Sequence, residues 1–394
     1  MFNPFRKSSR HRRESAIGTA ILGGLMVLAA IPTLFFNEGR AVKTARSLAE
    51  GANAVVSVDA EALNQLNDAK LVHLSGLAST SETLRDDRFG VTVNAIRLVR
   101  KVEMFQWQEL EETVTRRVDG KSKTETEYAY DKVWDGKHHS SNSFREPNGH
   151  QNPAALRFHS KEIEAEQVSV GQFQLPRELA TQLTDAEPMD VDLSAVPNEI
   201  AHGIRADGGT ETSAAGFYWS DNPEMAEPQV GDVRIRFWVV RPTTVSVIAQ
   251  QSGDSLQPFR THNDREISMI RAGDITAEMM FADAQSQSTA ITWALRFAGA
   301  IGLIVGIGFV VRPLTAITER IPVVGNLVGL GAAFIAIVLG GAVAILTISF
   351  AWLLYRPLIA IPMIAVGVGI LVLLTRLSKR QPIEHEPQGS LESV

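Results

Sequence analysis

Four long stretches almost free of charged residues constrain what this chain can fold into. They are 15–37, 293–311, where Arg296 is the one charge, 321–355 and 357–375. A helix needs about 20 predominantly apolar residues to cross a hydrocarbon core of about 30 Å. The sequence therefore predicts four transmembrane helices and excludes a water-soluble globular protein.

The charge-free stretches divide the chain into seven segments. We predict a basic N-terminus, a first transmembrane helix, a polar domain, three further transmembrane helices and a tail, over 1–14, 15–37, 38–290, 291–312, 321–355, 357–375 and 376–394. A helix of 35 residues would exceed the bilayer core. Because Pro322, Gly325 and Asn326 interrupt its start, we expect 321–329 to form an interfacial or re-entrant entry and 330–354 to span.

Flanking charges predict the orientation. The first apolar stretch follows a basic cluster of Arg6, Lys7, Arg10, Arg12 and Arg13 and is longer than the apolar core of a usual secretory signal. We interpret it as an uncleaved signal anchor with a cytoplasmic N-terminus, following the positive-inside rule. Four crossings then place both termini in the cytoplasm and 38–290 on the extracytoplasmic side.

The polar domain has a composition that restricts its partners and chemistry. It contains more acidic than basic residues, so we expect no nucleic-acid partner. The chain has no cysteine, which excludes disulfides and thiol catalysis.

Strand patterns dominate the same domain. Asp119-Gly120 lies between two long runs rich in Thr, Val and aromatic residues, 96–118 and 121–134, and is typical of a type I′ hairpin turn. We expect a second hairpin across Arg241-Pro242-Thr243, joining 233–240 to 245–250. The predicted fold is an α+β membrane protein with one N-terminal and three C-terminal transmembrane helices and a large, mainly antiparallel β domain.

Helical patterns are fewer in the polar domain. We predict short helices at 161–166 and 176–183 and a loop over 184–210. From Asp274, a plausible N-cap, the pattern turns helical and continues into the second transmembrane segment.

Small residues recur four apart in the predicted transmembrane helices. The pairs are Gly302 with Gly306, Gly325 with Gly329 and Ala336 with Gly340. Such faces let helix backbones approach closely in lipid, although glycine and alanine are also simply common there. We predict helix packing at these positions, and a homo-oligomer as a consequence.

Candidate functional residues are sparse. Glu146 and His150 stand four apart within a cluster that also holds His138, His139, Asn152 and His159, but Pro147 and Gly149 argue against the helix that a metal pair would need. We expect solvated loop histidines and keep these two as weak metal candidates. No catalytic or cofactor-binding motif emerges, so we expect no cofactor and favour a non-enzymatic protein.

A second candidate is the exit motif that follows the first apolar run. It consists of Asn37, Glu38, Gly39 and Arg40. We interpret Glu38 and Arg40 as an interfacial pair that orients the helix, with a lipid headgroup or a partner as the alternative ligand.

Several segments resemble the transmembrane-protein-43 family, also called LUMA. They are NEGRAVKTARSLAEGANAVVSV at 37–58, KLVHLSG at 70–76, VEMFQWQE at 102–109, NSFREPNGHQNP at 142–153, FYWSDNPEMAEPQVGDVRIRF at 217–237, VSVIAQQSGDSLQPF at 245–259 and AGDITAEMMFADAQSQSTAITWALRFAG at 272–299. The resemblance implies a four-span layout with a large lumenal domain. Animal members of the family reside in the endoplasmic reticulum and inner nuclear membrane and associate with lamins and emerin. The Ala/Gly-rich, cysteine-free composition is typical of a bacterial chain, for which the equivalent location is the inner membrane and those nuclear partners do not transfer.

Two functions remain open from the sequence. The first is a multipass scaffold that organises the membrane, binds the bilayer, self-associates and holds unidentified membrane or periplasmic proteins. The alternative is a membrane-anchored sensor or enzyme whose β domain binds a small ligand, a lipid or a metal. A transporter is less favoured because the spans lack internal acidic residues.

Overall fold

The computed structural model divides the chain into a helical unit and a β unit. It describes residues 6–118, 121–208, 215–222, 227–318, 322–358, 360–362 and 365. The helical unit comprises 1–50, 261–265 and 281–394, and the β unit comprises 51–260 and 266–280. The polar ends of the predicted domain, 38–50 and 281–290, therefore belong to the helical unit.

The described part of the chain contains three long helices and two short ones, and residues 357–358, 360–362 and 365 are also helical. The long and short helices are α1 (Arg6–Ala54), α2 (Arg177–Ala180), α3 (Asn198–Ala201), α4 (Ala277–Thr318) and α5 (Pro322–Tyr355). Helix α1 continues through Pro32 and extends to Ala54, beyond the predicted end of the first transmembrane helix at residue 37. A proline removes one backbone donor without always ending a helix, and here the Thr33 hydroxyl donates to the Ala29 carbonyl, 2.8 Å away.

Within the described ranges, three helical segments are long and apolar enough to cross a membrane. They are Ile17–Ala54, Ala277–Arg312 and Ala333–Tyr355. Helix α5 is continuous from Pro322, so 322–329 are helical. Residue 321 lies outside the described residues, and an interfacial or re-entrant entry over 321–329 stays a prediction. Most of the fourth predicted span, 357–375, lies outside the described residues.

Helix α4 is continuous into the second candidate span, as predicted from the sequence. Its cap differs from the predicted Asp274. The Thr276 carbonyl accepts from the backbone N–H of Met280 at 3.1 Å, and the Thr276 hydroxyl accepts from the N–H of Met279 at 3.4 Å. Threonine supplies the same kind of side-chain acceptor as aspartate, so the two residues are hard to distinguish from sequence.

The β unit is built from short strands and one long hairpin. The strands are β1 (Val56–Ser57), β2 (Leu71–Ser79), β3 (Thr83–Asp86), β4 (Val91–Asn94), β5 (Arg97–Val118), β6 (Lys121–Asp135), β7 (Lys161–Glu164), β8 (Val168–Val170), β9 (Phe173–Leu175), β10 (Glu187–Met189), β11 (Ile204–Asp207), β12 (Gly216–Trp219), β13 (Val233–Val240), β14 (Thr243–Ser252), β15 (Ser255–Gln257), β16 (Phe259–Arg260), β17 (Glu266–Ile267) and β18 (Met269–Ala272).

Two larger sheets organise these strands. In the first, the pairings β2–β8, β8–β9, β9–β15, β15–β14 and β14–β2 return to their starting strand, so the sheet closes on itself, and β1 and β18 flank it. The second has the order β11-β12-β13-β5-β6, with β10 on β13 and β7 on β5. The predicted long hairpin is confirmed, since β5 and β6 pair from Met104 opposite Asp135 to Val118 opposite Lys121.

The core of the β unit lies where both sheets contribute alternate apolar residues. On β13, Val233, Ile235 and Phe237 are buried while the arginines between them are partly exposed. Phe89 is fully buried and stacks on Phe217, with 5.7 Å between ring centroids. Such period-two burial is what an amphipathic strand against a core requires.

Three sequence predictions for this unit are wrong. Strands β13 and β14 form no hairpin, because β13 pairs with β5 and β12 while β14 pairs with β2 and β18; Arg241-Pro242 instead carries the chain from one sheet to the other. Residues 161–164 form a strand rather than a helix, since they pair with β5. The predicted loop 184–210 contains β10, α3 and β11.

Candidate functional site in the helical unit

A charged cluster forms where the three long helices meet. Helix α1 contributes Glu38, which is fully buried, and α4 contributes Arg296, whose side chain is 15% exposed. The Nε of Arg296 donates to Oε1 of Glu38 at 2.6 Å, and its Nη2 donates to Oε2 at 2.8 Å. This two-pronged geometry matches a planar guanidinium to a carboxylate and gives strong hydrogen bonds.

The third helix completes the coordination of the same carboxylate. The indole Nε1 of Trp352 on α5 donates to Oε2 of Glu38 at 2.8 Å. One side chain of α1 therefore accepts donors from both α4 and α5. We call Glu38, Arg296 and Trp352 the carboxylate clamp. A charge within a candidate span is costly unless it is paired, and this arrangement supplies the partner.

The Arg40 side chain makes different contacts from those expected. Its Nη2 donates to the Thr292 hydroxyl at 2.9 Å and to Oδ1 of Asn37 at 3.2 Å. Nδ2 of Asn37 donates to the carbonyl of Thr292 at 3.1 Å. The predicted Glu38–Arg40 pair is therefore wrong, because residues two apart on a helix do not face each other.

Aromatic rings surround the clamp. The guanidinium of Arg296 lies 4.8 Å from the ring centroid of Trp293 and 5.9 Å from that of Trp352. Tyr355 packs against Phe35 with 5.6 Å between centroids. Gly39 leaves room for this ring, since a Cβ there would lie 2.6 Å from Cζ of Tyr355. Asn37, Glu38 and Arg40 of the exit motif thus form hydrogen bonds with α4 or α5. Gly39 leaves space for the Tyr355 ring of α5.

Several of the predicted small-residue positions lie at helix crossings within this unit. A Cβ on Gly306 would lie 2.9 Å from the carbonyl oxygen of Gly23, and one on Gly340 would lie 2.7 Å from Cα of Ile304. At Gly302 a Cβ would make an ordinary 3.5 Å contact with Ala30. Ala336 is buried. The surroundings of Gly325 and Gly329 lie outside what the structure describes. These contacts are intramolecular.

The histidine-rich loop of the β unit is the second place to look for chemistry. Nδ1 of His150 lies 2.9 Å from the backbone carbonyl of Glu146, not from its carboxylate. The His150 ring stacks on Tyr130 at 3.8 Å and meets Trp107 edge-on at 4.7 Å. In the part of the chain that the structure describes, no group of three His, Asp or Glu residues has a metal-binding arrangement.

The neighbouring polar side chains hold this loop to the long hairpin. The Asn152 amide donates to the carbonyls of Trp107 and His139, at 2.8 and 2.9 Å, and its oxygen accepts from the N–H of Trp107 at 2.7 Å. His138 lies 2.7 Å from the carbonyl of Pro153. The hydrogen bonds made by these residues are those of a structural loop.

Two titratable groups beside this loop have shifted pKa values. The backbone N–H of Lys137, followed by the His139 ring, lowers the pKa of Asp135 despite some burial. Desolvation, followed by a hydrogen bond to Glu109, raises the pKa of Tyr130. The Asp135 shift reflects hydrogen-bond partners that fix the loop in place, and the Tyr130 shift reflects chiefly its desolvation.

Sequence reasoning missed the partner of Glu38 and the role of Trp352. The signal was present, because Arg296 is the one charge within 293–311. A lone charge in an apolar segment indicates a buried counter-charge on another helix. Which acidic residue meets it depends on the packing of helices far apart in sequence, and that cannot be obtained from spacing.

Together, three candidate membrane spans, a β-rich unit and a buried carboxylate clamp define a membrane protein with several apolar helices. A family model described as Transmembrane protein 43 matches residues 104–357. Transmembrane protein 43 of Rattus norvegicus is 34% identical over 358 residues, which cover 88% of this chain and 87% of the rat protein. This chain belongs to the transmembrane protein 43 family, as its resemblance predicted.

Two further relatives cover more than 90% of the chain. Transmembrane protein 43 of Homo sapiens is 33% identical over 382 residues, or 94% of this chain and 93% of the human protein. The Transmembrane protein 43 homolog of Drosophila melanogaster is 26% identical over 377 residues, covering 91% and 94%. No solved structure matches the chain.

Proposed function

We propose that this protein is a multipass membrane scaffold whose β unit faces the extracytoplasmic side and binds protein or envelope partners. The observation that carries the proposal is the carboxylate clamp, which joins α1, α4 and α5 through one buried side chain. A helical bundle whose helices are joined in this way can hold a large domain at the membrane. The alternative, a ligand-binding sensor or enzyme, receives less support because the loop histidines are occupied by structural contacts.

Orientation follows from the flanking charges. The basic cluster that precedes the first span favours a cytoplasmic N-terminus. One crossing by α1 then delivers the β unit to the opposite side, and α4 returns the chain. For a bacterial chain, we infer the inner membrane as the location and both termini as cytoplasmic.

Self-association is the second part of the proposal. The small residues that face other helices of the same chain support close packing of the bundle. Neighbouring faces remain rich in exposed apolar residues, among them Phe334, Leu346 and Phe350. In lipid, helix association depends on close packing rather than on a hydrophobic driving force, so these faces would contact lipid or a second copy.

The absence of cysteine allows a direct test of orientation. We would introduce Ser252→Cys, at an exposed end of β14, and Ser378→Cys, in the predicted cytoplasmic tail. In spheroplasts, a membrane-impermeant maleimide should label the first variant and should label the second only after permeabilisation. The reverse pattern would contradict the orientation.

The scaffold role needs a separate measurement. Chemical crosslinking in native membranes, followed by purification of the full chain, should recover homo-oligomers together with a defined set of envelope proteins. Mass photometry of the purified protein should show more than one copy in each particle. A strictly monomeric protein without crosslinked partners would overturn the scaffold proposal, whatever its orientation.

A further inference from the structure

A cavity lies within the helical unit beside the carboxylate clamp. Its volume is about 270 Å³. Its lining residues come from α1, from one face of α4 and from the residue that follows α5: Ala41, Ala45, Gln285, Ser288, Thr289, Thr292, Trp293, Arg296 and Arg356. Small alanines thus form one wall, and polar or basic side chains form the others.

The chemistry of the lining favours an anion. Arg296 and Arg356 both line the cavity, and no acidic residue is among its lining residues. The hydroxyls of Thr289 and Thr292 donate to carbonyls of their own helix, so the further donors on α4 are the Ser288 hydroxyl and the Gln285 amide. Arginine and hydroxyl donors around a small volume are the usual recognition elements for phosphate oxygens.

The balance of charge around the clamp points the same way. Glu38 is the acidic member, whereas Arg296, Arg40 and Arg356 lie around it. Arg40 reaches the same face of α4 through the Thr292 hydroxyl, and its buried Nε has no hydrogen-bond partner among the described residues. One carboxylate compensates only one of these guanidinium charges, so the site retains positive charge that an anion would neutralise.

The position of the cavity along the helices suits a lipid headgroup. Trp293 lines it and is 51% exposed, and Trp352 and Tyr355 lie at the end of α5 that precedes Arg356. Tryptophan and tyrosine are enriched at the level of the headgroups. The polar face of α4, from Gln285 to Thr292, directly precedes its apolar run.

We propose that this cavity binds the phosphate group of an anionic phosphate ester, either a phospholipid headgroup or a soluble phosphate compound. Arg356 contacts the phosphate, Arg296 contacts it while remaining paired with Glu38, and the Ser288 hydroxyl and the Gln285 amide complete the site. This binding does not depend on the orientation of the protein or on its scaffold role. A failure of either proposal can therefore be distinguished from a failure of the other.

The test uses the purified full chain in detergent and Arg356→Gln, because Arg356 is not part of the carboxylate clamp. Native mass spectrometry would measure retention of phosphatidylglycerol, with diacylglycerol as a lipid that lacks phosphate. Wild type should retain phosphatidylglycerol and not diacylglycerol. Losing one arginine near the headgroup should weaken retention about five-fold, and Arg356→Lys should restore most of it.

The matched control is Lys43→Gln, which removes an exposed basic residue from α1 near Ala41 and Ala45. It should retain phosphatidylglycerol much as wild type does. Ser288→Ala provides a second variant of the lining that leaves all charges in place, and it should weaken binding by a smaller factor.

Competition separates the two sources of phosphate. If glycerol 3-phosphate or inorganic phosphate stabilises wild type thermally, and Arg356→Gln but not Lys43→Gln abolishes the effect, the ligand is a soluble phosphate compound. If only phosphatidylglycerol does so, the ligand is a lipid. Equal effects of the two variants, or binding of diacylglycerol as strong as that of phosphatidylglycerol, would overturn the proposal.

Discussion

Each of the two units buries an arginine–carboxylate pair, and the pairs differ in what they connect. In the helical unit, Glu38 and Arg296 are 258 residues apart in sequence and lie on two different helices, and Trp352 joins them from a third helix. In the β unit, Arg100 on β5 donates to Asp86 at the end of β3 at 2.7 Å, and the two residues are 14 apart in sequence. One pair specifies a long-range assembly, while the other reinforces a local one.

The surroundings of the pairs explain the difference. The β unit has an extensive apolar core that includes Phe89, which lies 5.1 Å from the guanidinium of Arg100. Desolvation lowers the pKa of Arg100, and Asp86 opposes that shift. The helical unit has a small buried cluster of Ala30, Leu34, Leu303 and Ala344. In a bilayer, an apolar helix face contacts lipid tails about as favourably as it contacts another apolar helix. Hydrogen bonds and close packing therefore decide which helix faces meet.

The largest effect is expected from Glu38→Gln. The change leaves the Arg296 charge buried without a counter-charge, which costs about 3 to 5 kcal/mol. Thermal unfolding of the full chain in lipid nanodiscs, followed by tryptophan fluorescence, should show a lower midpoint. Hydrogen exchange should rise in peptides of α1, α4 and α5.

Glu50→Gln is the matched control for that variant. Glu50 lies on the same helix and pairs with His262, whose side chain is 94% exposed. Its loss should leave the midpoint close to that of wild type, because pairs with an exposed partner contribute little. Equal destabilisation by both variants would show that the clamp is no more important than a surface pair.

A smaller effect is expected from Asp86→Asn in the β unit. The amide retains an acceptor but removes the charge facing Arg100, at a cost of about 3 kcal/mol. Hydrogen exchange should rise in peptides covering β3 to β5 and remain unchanged in the long helices. Asp87→Asn, in an exposed pair with Arg85, should change neither region. Faster exchange in the helices of the Asp86 variant would contradict the local role of this pair.

Packing in the helical unit can be tested without touching a charge. A Cβ introduced by Gly340→Ala would lie 2.7 Å from Cα of Ile304, whereas at Gly341 nothing lies within 4 Å. We expect Gly340→Ala to cost about 2 kcal/mol and Gly341→Ala to be neutral or slightly stabilising, because alanine favours helix. Thermal midpoints of the two variants, measured side by side, provide the check. Indistinguishable midpoints would argue against the close crossing of α4 and α5.

The smallest effect is expected from Trp352→Phe. The ring volume is largely kept, but Glu38 loses its third donor, a hydrogen bond to a charged group worth about 1.5 kcal/mol. The thermal midpoint should fall less than with Glu38→Gln. If it fell as far, packing of the indole ring rather than its donated hydrogen bond would account for most of the contribution of Trp352 to stability.

Local chemistry explains which features could be predicted from sequence. The Asp119-Gly120 dipeptide and its flanking strands predicted the β5–β6 hairpin because turn and pairing involve neighbouring residues. Helix α4 was predicted to continue into the second span because its periodicity is also local. Around Arg241-Pro242 the same reasoning failed, since β13 and β14 each find partners in a different sheet.

The candidate site shows the same division. Its residues on α1 were singled out because they follow an apolar run, and Arg296 was noticeable as a lone charge. Their partners were not predicted, because helical geometry separates Glu38 from Arg40 and tertiary packing brings Arg296 and Trp352 to it. The prediction of a helix at 161–164 was wrong for the same reason. The local sequence suits a helix, and only the pairing with β5, a distant strand, makes the segment a strand.

The most direct test of the carboxylate clamp is a double-mutant cycle on Glu38→Gln and Arg296→Met. Each single variant should lower the thermal midpoint in nanodiscs, because each leaves one buried charge or acceptor unpaired. The double variant should be more stable than Glu38→Gln alone, since the uncompensated guanidinium is gone. A double variant whose destabilisation equals the sum of the two single changes would contradict a direct interaction between Glu38 and Arg296.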